Sequence, residues 1–163
     1  MLIRPAAEPD VPGILTIYND IVVNSTATYN DTPVTLDNRL DWFHSRIRSG
    51  YPVLVATDDT GSILGFSSFG DFRTWPGYRF TVEHTVHIHP NHRNQGIGTQ
   101  LIVQLLPIAR SLGKHVIIGG IDSENTGSIR LHERLGFKRV AHLPEVGFKF
   151  NRWLDLVLLQ RIL

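Results

Sequence analysis

The chain has 163 residues, 42% hydrophobic and 19% charged, with a formal net charge of +1 and no cysteine. That length gives one domain spanning 1–163 with a sizeable core, and the near-neutral charge argues against bulk attraction to nucleic acid or a membrane. Without cysteine there is no disulfide scaffold, no thiolate zinc site and no cysteine acyl-enzyme.

The N-terminus, Met1-Leu2-Ile3-Arg4, lacks the basic head and long apolar run of a signal peptide, and no apolar stretch reaches membrane-span length. A cytoplasmic enzyme is expected. Leu2 to Arg4 reads as a short strand. Asp10 is a candidate N-cap for a helix to about Val23, with Ile14, Ile17, Tyr18 and Ile21 at helical spacing. Thr35 is placed to cap a second helix carrying Leu36, Leu40, Phe43 and Ile47 as one stripe, with Gly50 as its stop. Pro52–Thr57 and Ser62–Phe72 are β-rich runs joined by Asp58-Asp59-Thr60-Gly61, a hairpin signature. Arg73–Arg79, with Pro76 and Gly77, reads as a loop, and Thr81–His89 as the next strand.

After Gly96 a helix is expected to carry Ile97, Leu101, Leu105, Ile108 and Leu112 on one side. Pro107 inside it should kink it or end its regular bonding early. His115–Ile121 is an apolar strand, Asn125–Leu135 a helix closed by Gly136, and Arg139–His142 and Arg152–Leu163 the last strands. The class is mixed α/β.

The junction Arg93-Asn94-Gln95-Gly96-Ile97-Gly98 lies between a strand and a helix. Two glycines there let backbone N–H groups face outward at a helix start, where donors lack partners and the dipole favours an anion. Arg93 adds a forked cation. A phosphate or pyrophosphate is the expected ligand. The pattern is not a P-loop, since no Gly-Lys-Ser/Thr follows, nor a dinucleotide fingerprint, since Leu101 stands where the third glycine should. On spacing alone, a turn that merely needs two flexible residues remains an equal reading.

The Arg-x-x-Gly-x-Gly run resembles motif A of the Gcn5-related N-acetyltransferases (GNAT). A second stretch, Asn125, Ser128 and then His132-Glu133-Arg134-Leu135-Gly136-Phe137, resembles a further family motif. Within that family, Thr81-Val82-Glu83-His84-Thr85-Val86, Gly70-Asp71-Phe72-Arg73, Val146-Gly147-Phe148-Lys149-Phe150 and Arg152-Trp153-Leu154-Asp155 look like phosphinothricin and methionine sulfone/sulfoximine N-acetyltransferases. The resemblance covers nearly the whole chain. It implies the GNAT fold: a mostly antiparallel twisted sheet flanked by helices, with splayed central strands.

It also implies acetyl-CoA as co-substrate. The pyrophosphate would sit on the amides of Asn94, Gln95, Gly96, Ile97, Gly98 and Thr99 beside Arg93. The pantetheine arm would run along Val86, His87 and Ile88, with Asn125 reaching it. Arg130, Arg134 and Lys138 could meet the outer phosphate, although a solvated basic face is the better explanation for any one of them.

The acceptor would be a small amino acid or analogue. Its amine must lose a proton before attacking a thioester, so a carboxylate with a raised pKa is needed nearby. Glu83, a charge within an apolar strand, could be that base; by itself it could also be an outward-facing residue or an ion-pair partner. The resemblance favours the base. His132 fills the slot where relatives place a tyrosine that protonates the thiolate, and could do so with a pKa near its ordinary value of about 6.5. No tyrosine lies beyond Tyr78. The oxyanion falls to a backbone N–H, most naturally that of Val86.

Arg73 and Arg79 suit a bidentate grip on an acid. The expected acceptor-binding set is Arg73, Thr74, Trp75, Arg79, Glu83, His84 and Thr85, with Phe72, Tyr78 and Tyr29 as further candidate walls. His84, His87, His89 and His92 crowd one strand and its exit, but strand alternation sets His84 opposite His87 and His89, so no metal is expected. The rival readings keep the donor and change the acceptor to a peptide N-terminus or polyamine, or make the chain a CoA-binding sensor without turnover. A homodimer is expected, with the final strand, Arg152 to Leu159, pairing across a two-fold axis.

Overall fold

In the computed structural model, which describes residues 1–163, the chain runs β1 (Leu2–Pro5), α1 (Val11–Asn24), α2 (Leu36–Arg48), β2 (Val53–Thr57), β3 (Ile63–Asp71), β4 (Thr81–Ile88), α3 (Ile97–Ser111), β5 (Val116–Asp122), α4 (Thr126–Arg134), β6 (Lys138–Lys149) and β7 (Arg152–Ile162). The strands form one sheet in the order β1-β2-β3-β4-β5-β7-β6. Every neighbouring pair is antiparallel except β4 and β5. This is the mixed, mostly antiparallel sheet flanked by helices that the sequence led us to expect.

Helices cover both faces. β2 shows why: Val53 and Val55 join Ile14, Ile17, Ile21 and Phe43 of α1 and α2 on one face. Leu54 and Ala56 join Ile97, Leu101 and Leu105 of α3 on the other. A strand buried on both sides has no polar alternation to display.

The feature that makes room for a ligand is the parallel pair. β4 and β5 are in register only at Thr81–Glu83 against Val116–Ile118. Beyond that point β4 stays with β3 as far as Ile88, while β5 stays with β7 as far as Asp122. The sheet splits into a V, and β4 from His84 onward has no strand on its β5 side.

Several sequence expectations need correcting. Asp10 does not cap α1; its carboxylate accepts from the Arg4 guanidinium at 2.6 and 2.8 Å and from the Ala7 N–H at 2.8 Å. A charge-assisted bidentate pair outcompetes a cap. Thr35 does cap α2, accepting from the Asn38 N–H at 3.2 Å. The α2 stripe is only partly buried: Phe43 is inside, Leu36 and Ile47 are exposed, and Arg39 is buried instead.

Pro107 does not stop α3, which continues to Ser111. Pro107 and Val103, whose carbonyl loses its bond, both lie on the exposed side, where water can serve the free acceptor. β6 extends to Lys149, well past His142, and turns into β7 through Phe150 and Asn151, both with positive φ (52° and 57°). That two-residue turn has the dihedral signs of type I′ but lacks the usual Asn-Gly. β7 lies between β5 and β6, so the sheet edge expected for it belongs to β6.

Candidate active site

Two clefts open where the sheet splits. One, of about 840 Å³, is bordered by the Arg93–Thr99 loop, the end of α1 and the start of α4. The other, of about 640 Å³, lies between α1, α2 and the diverging strands. Both are lined by Ala27, Val86, Asn125 and Ser128, so they meet at the splayed edge of β4.

In the first cleft none of the backbone N–H groups from Asn94 through Thr99 donates to an acceptor in the chain. The loop arranges this by placing Asn94 (φ 61°) and Gly96 (φ 76°) in the left-handed region just before α3. A run of free amides at the positive end of a helix is an anion cradle. Arg93 is half exposed and only loosely engaged by Asp20, at 3.9 Å. Val86, Ile88, Arg93, Asn94, Gly96, Ile97, Gly98, Thr99 and Asn125 all border this cleft. Gln95 borders neither cleft, and His87 borders the other. Arg134 is at its rim; Arg130 and Lys138 are not. Sequence reading missed Phe150 and Arg152, brought in by the β6–β7 turn, and Asn24–Ala27 at the end of α1.

Asn125 caps α4, its Oδ1 accepting from the Ser128 N–H at 3.1 Å. One turn on, His132 is buried to 1% exposure. Its Nδ1 donates to the Ser128 carbonyl at 2.7 Å, and its Nε2 lies 3.1 Å from Nε2 of His84. With Nδ1 carrying the proton, His132 Nε2 is the acceptor and His84 Nε2–H the donor. That leaves His84 Nδ1 as an acceptor without a partner, which is what the structure has. Burial holds both rings neutral; the His84 pKa is pushed down to about 3, first by desolvation and then by His132 and His87. Burial likewise lowers that of His132. His132 is thus not free to present a proton at Nε2.

Glu83 occupies the last register position before β4 and β5 part. It is half-buried, and its Oε1 lies 2.9 Å from where a Cβ on Gly120 would stand. Glycine at 120 therefore leaves the carboxylate its place. Desolvation raises the Glu83 pKa, against an opposing pull from Arg73. Glu83 has no hydrogen-bond partner in the chain, so it is not a structural ion-pair member.

The second cleft is walled by Tyr18, Arg39, Trp42 and Phe66, with Thr85, His87, Gly120 and Asp122 on the strands. His87 packs edge-on against Tyr18 and at a tilt against Phe66, and its pKa is pushed down to about 4 by burial, then by Arg39 and Arg93. Of the acceptor residues expected from sequence, His84 and Thr85 line this cleft. Arg73, Thr74, Trp75 and Arg79 are exposed and line neither cleft, with Trp75 73% exposed, and half-buried Glu83 is not part of either cleft's lining. Phe72 and Tyr78 pack on each other outside the clefts, and Tyr29 lies over Gly147 with its hydroxyl donating to the Asp155 carbonyl. The aromatic walls come from α1, α2 and β3 instead, where no local motif marks them.

Residues 1–138 match the Acetyltransferase (GNAT) domain family. The chain belongs to the GNAT acetyltransferase family. It is 51% identical over 158 residues to the L-methionine sulfoximine/L-methionine sulfone acetyltransferase of Pseudomonas aeruginosa, covering 97% of this chain and 92% of that one. It is 34% identical to the phosphinothricin N-acetyltransferase of Streptomyces coelicolor, covering 98% and 94%. Among solved structures it superposes with a TM-score of 0.97 on YncA of Salmonella typhimurium, solved with its cofactor acetyl-CoA, at 48% identity over 99% of this chain and 93% of that one. This GNAT enzyme is an acyltransferase of the N-acetyltransferase type.

Proposed function

We propose that this acetyltransferase moves the acetyl group of acetyl-CoA directly to the α-amine of a small amino acid or analogue of the methionine sulfone, methionine sulfoximine or phosphinothricin type. The observation that carries the reading is the meeting of the two clefts at Val86, Asn125 and Ser128. A donor held in one and an acceptor held in the other would bring thioester and amine together there, which supplies proximity without a covalent enzyme intermediate. The names of the relatives support the acceptor class.

In this reading the free amides of Asn94–Thr99 hold the pyrophosphate, with Arg93 alongside. The open edge of β4 at Val86 and Ile88 receives the pantetheine arm as a missing strand would, and Asn125 closes on it. The Val86 N–H faces the developing oxyanion. Glu83 takes the ammonium proton, directly or through water; its desolvated carboxyl is a better base than an exposed one. Arg73 tempers that shift. His132 holds His84 in place, and the departing thiolate takes its proton from solvent at the cleft mouth. No metal takes part. The enzyme is cytoplasmic and homodimeric in this reading; the exposed Val140, Leu143, Val146, Phe148 and Trp153 of the β6–β7 hairpin offer the contact.

The test is release of free thiol from acetyl-CoA in the presence of methionine sulfone, methionine sulfoximine or phosphinothricin, with a peptide N-terminus and a polyamine as competitors. Glu83→Gln should cut kcat by about 10²–10⁴-fold while acetyl-CoA binding is kept. No turnover with any amino-acid acceptor, or undiminished turnover in Glu83→Gln, rules the reading out.

A further inference from the structure

Two buried charged groups in the second cleft have no counter-charge in the chain. Arg39 is 5% exposed, and its Nε is buried without an acceptor. Its guanidinium lies 3.7 Å from the centre of the Tyr18 ring and 4.9 Å from that of Trp42, and it forms none of the chain's ion pairs. The aromatic faces fix the plane of the fork and attract the cation, and the Tyr18 hydroxyl is near enough to interact with it, but neither ring supplies a counter-charge. Asp122 is 3% exposed. Its Oδ1 accepts from the Glu124 N–H at 2.8 Å, while Oδ2 is buried with nothing to accept from.

Burying a cation or a carboxylate without a counter-charge is costly. Folded chains keep such groups where a ligand completes them. Here both line the same cleft, on its α2 wall and its β5 wall. One presents donors only, the other acceptors only. The carboxylate of Asp122 also makes itself felt nearby: the Tyr29 hydroxyl is pushed up to about 12 by burial, then by the charges of Asp122 and Asp155.

We infer that Arg39 and Asp122 form a clamp for a zwitterion: Arg39 grips the α-carboxylate of the acceptor, and Asp122 receives its α-ammonium group. This deepens the function proposed above and rests on it. It moves the acid-binding role from the exposed Arg73 and Arg79 to a residue inside the cleft. It also separates amine binding, by Asp122, from proton removal, by Glu83.

The experiment compares methionine sulfone with its carboxamide, which keeps the amine and side chain but has no anionic carboxylate. Wild-type kcat/KM should be about 100-fold lower for the amide, since a desolvated charge-assisted pair is lost. Arg39→Gln should lower kcat/KM for the acid by a similar factor, mainly through KM, and leave the amide within a few-fold. The acid-to-amide ratio then collapses towards one. Asp122→Asn should raise KM about 10-fold for both acceptors with a smaller effect on kcat.

Acetyl-CoA binding reports folding. If Arg39→Gln fails to bind it, Arg39→Lys, which keeps charge but not the fork, should show a ratio between the two extremes. Equal losses for acid and amide in the Arg39 variants, a wild-type ratio near one, or a ratio that collapses in Arg73→Ala while surviving in the Arg39 variants overturns the assignment. Wild-type enzyme inactive on methionine sulfone and every other amino acid would instead refute the function, a result separate from these.

Discussion

The two clefts are built by opposite means. The loop cleft is made of main chain: consecutive amides, two positive-φ residues and a helix start. The α2 cleft is made of side chains that arrive from α1, α2, β3, β4, β5 and α4, spread along the sequence from Tyr18 to His132. The first recognises a feature shared by many ligands and can be written in a short run of residues. The second recognises one acceptor and exists only once the sheet has split and the helices have packed.

If that contrast holds, changes in the α2 cleft should alter turnover and spare donor binding, and changes in the loop should do the reverse. The largest effect is expected at Gly120. An alanine Cβ there would stand 2.9 Å from Glu83 Oε1 and 3.5 Å from Leu156 Cδ1, so the carboxylate must move. Displacement of a reacting group by about 1 Å can cost on the order of 100-fold. Gly120→Ala should lose about that in kcat while acetyl-CoA affinity, read by calorimetry, stays the same.

Next is acid sensitivity, which should come from the α2 side. His87 titrates normally at 6.5 and is held to about 4 by burial. A lowered histidine pKa means that the unfolded chain binds the proton first. Its contribution is therefore complete above pH 6.5 and is lost as pH falls towards 4. At pH 5 the loss from His87 alone is about 2 kcal/mol, and His84 adds to it in the same direction. Denaturant titrations from pH 7.5 to 5 should show this fall, and His87→Phe should flatten it. A stability that is level across that range would break the claim that these rings are neutral.

The smallest effect is in the loop. Gly96 has φ 76° with open space around its absent side chain, so only backbone strain opposes a Cβ. Gly96→Ala should cost about 1–2 kcal/mol of loop geometry and weaken acetyl-CoA binding roughly 10-fold. The kcat at saturating donor should be unaltered. A fall in kcat as large as that at Gly120 would show that the clefts are not separable.

How much was legible follows the same line. The loop, the helix beginning near Asn125, the hairpin at Gly61 and the α2 cap at Thr35 were readable because each depends on neighbours within a few positions. Asp10 was misread because its partner, Arg4, is in another element, and a cap is the weaker of its two options. Pro107 was expected to kink α3 or end its regular bonding early; the helix runs on to Ser111, with the unbonded Val103 carbonyl on the exposed side. The long β6 went unseen because Leu143–Val146 carries a proline and an irregularity in register, both of which usually end a strand.

By itself the sequence determined the order of elements, the glycine loop with its unspent amides, and the presence of a glutamate within an apolar strand, because helix starts and strand periodicity are set by adjacent residues. Only the tertiary structure decided that β4 and β5 part company after Glu83, that His132 is locked against His84, and that Arg39 rather than Arg73 lies inside the cleft. Those outcomes depend on which distant surfaces bury each other, and a free charge in a pocket becomes visible only when everything around it has been packed.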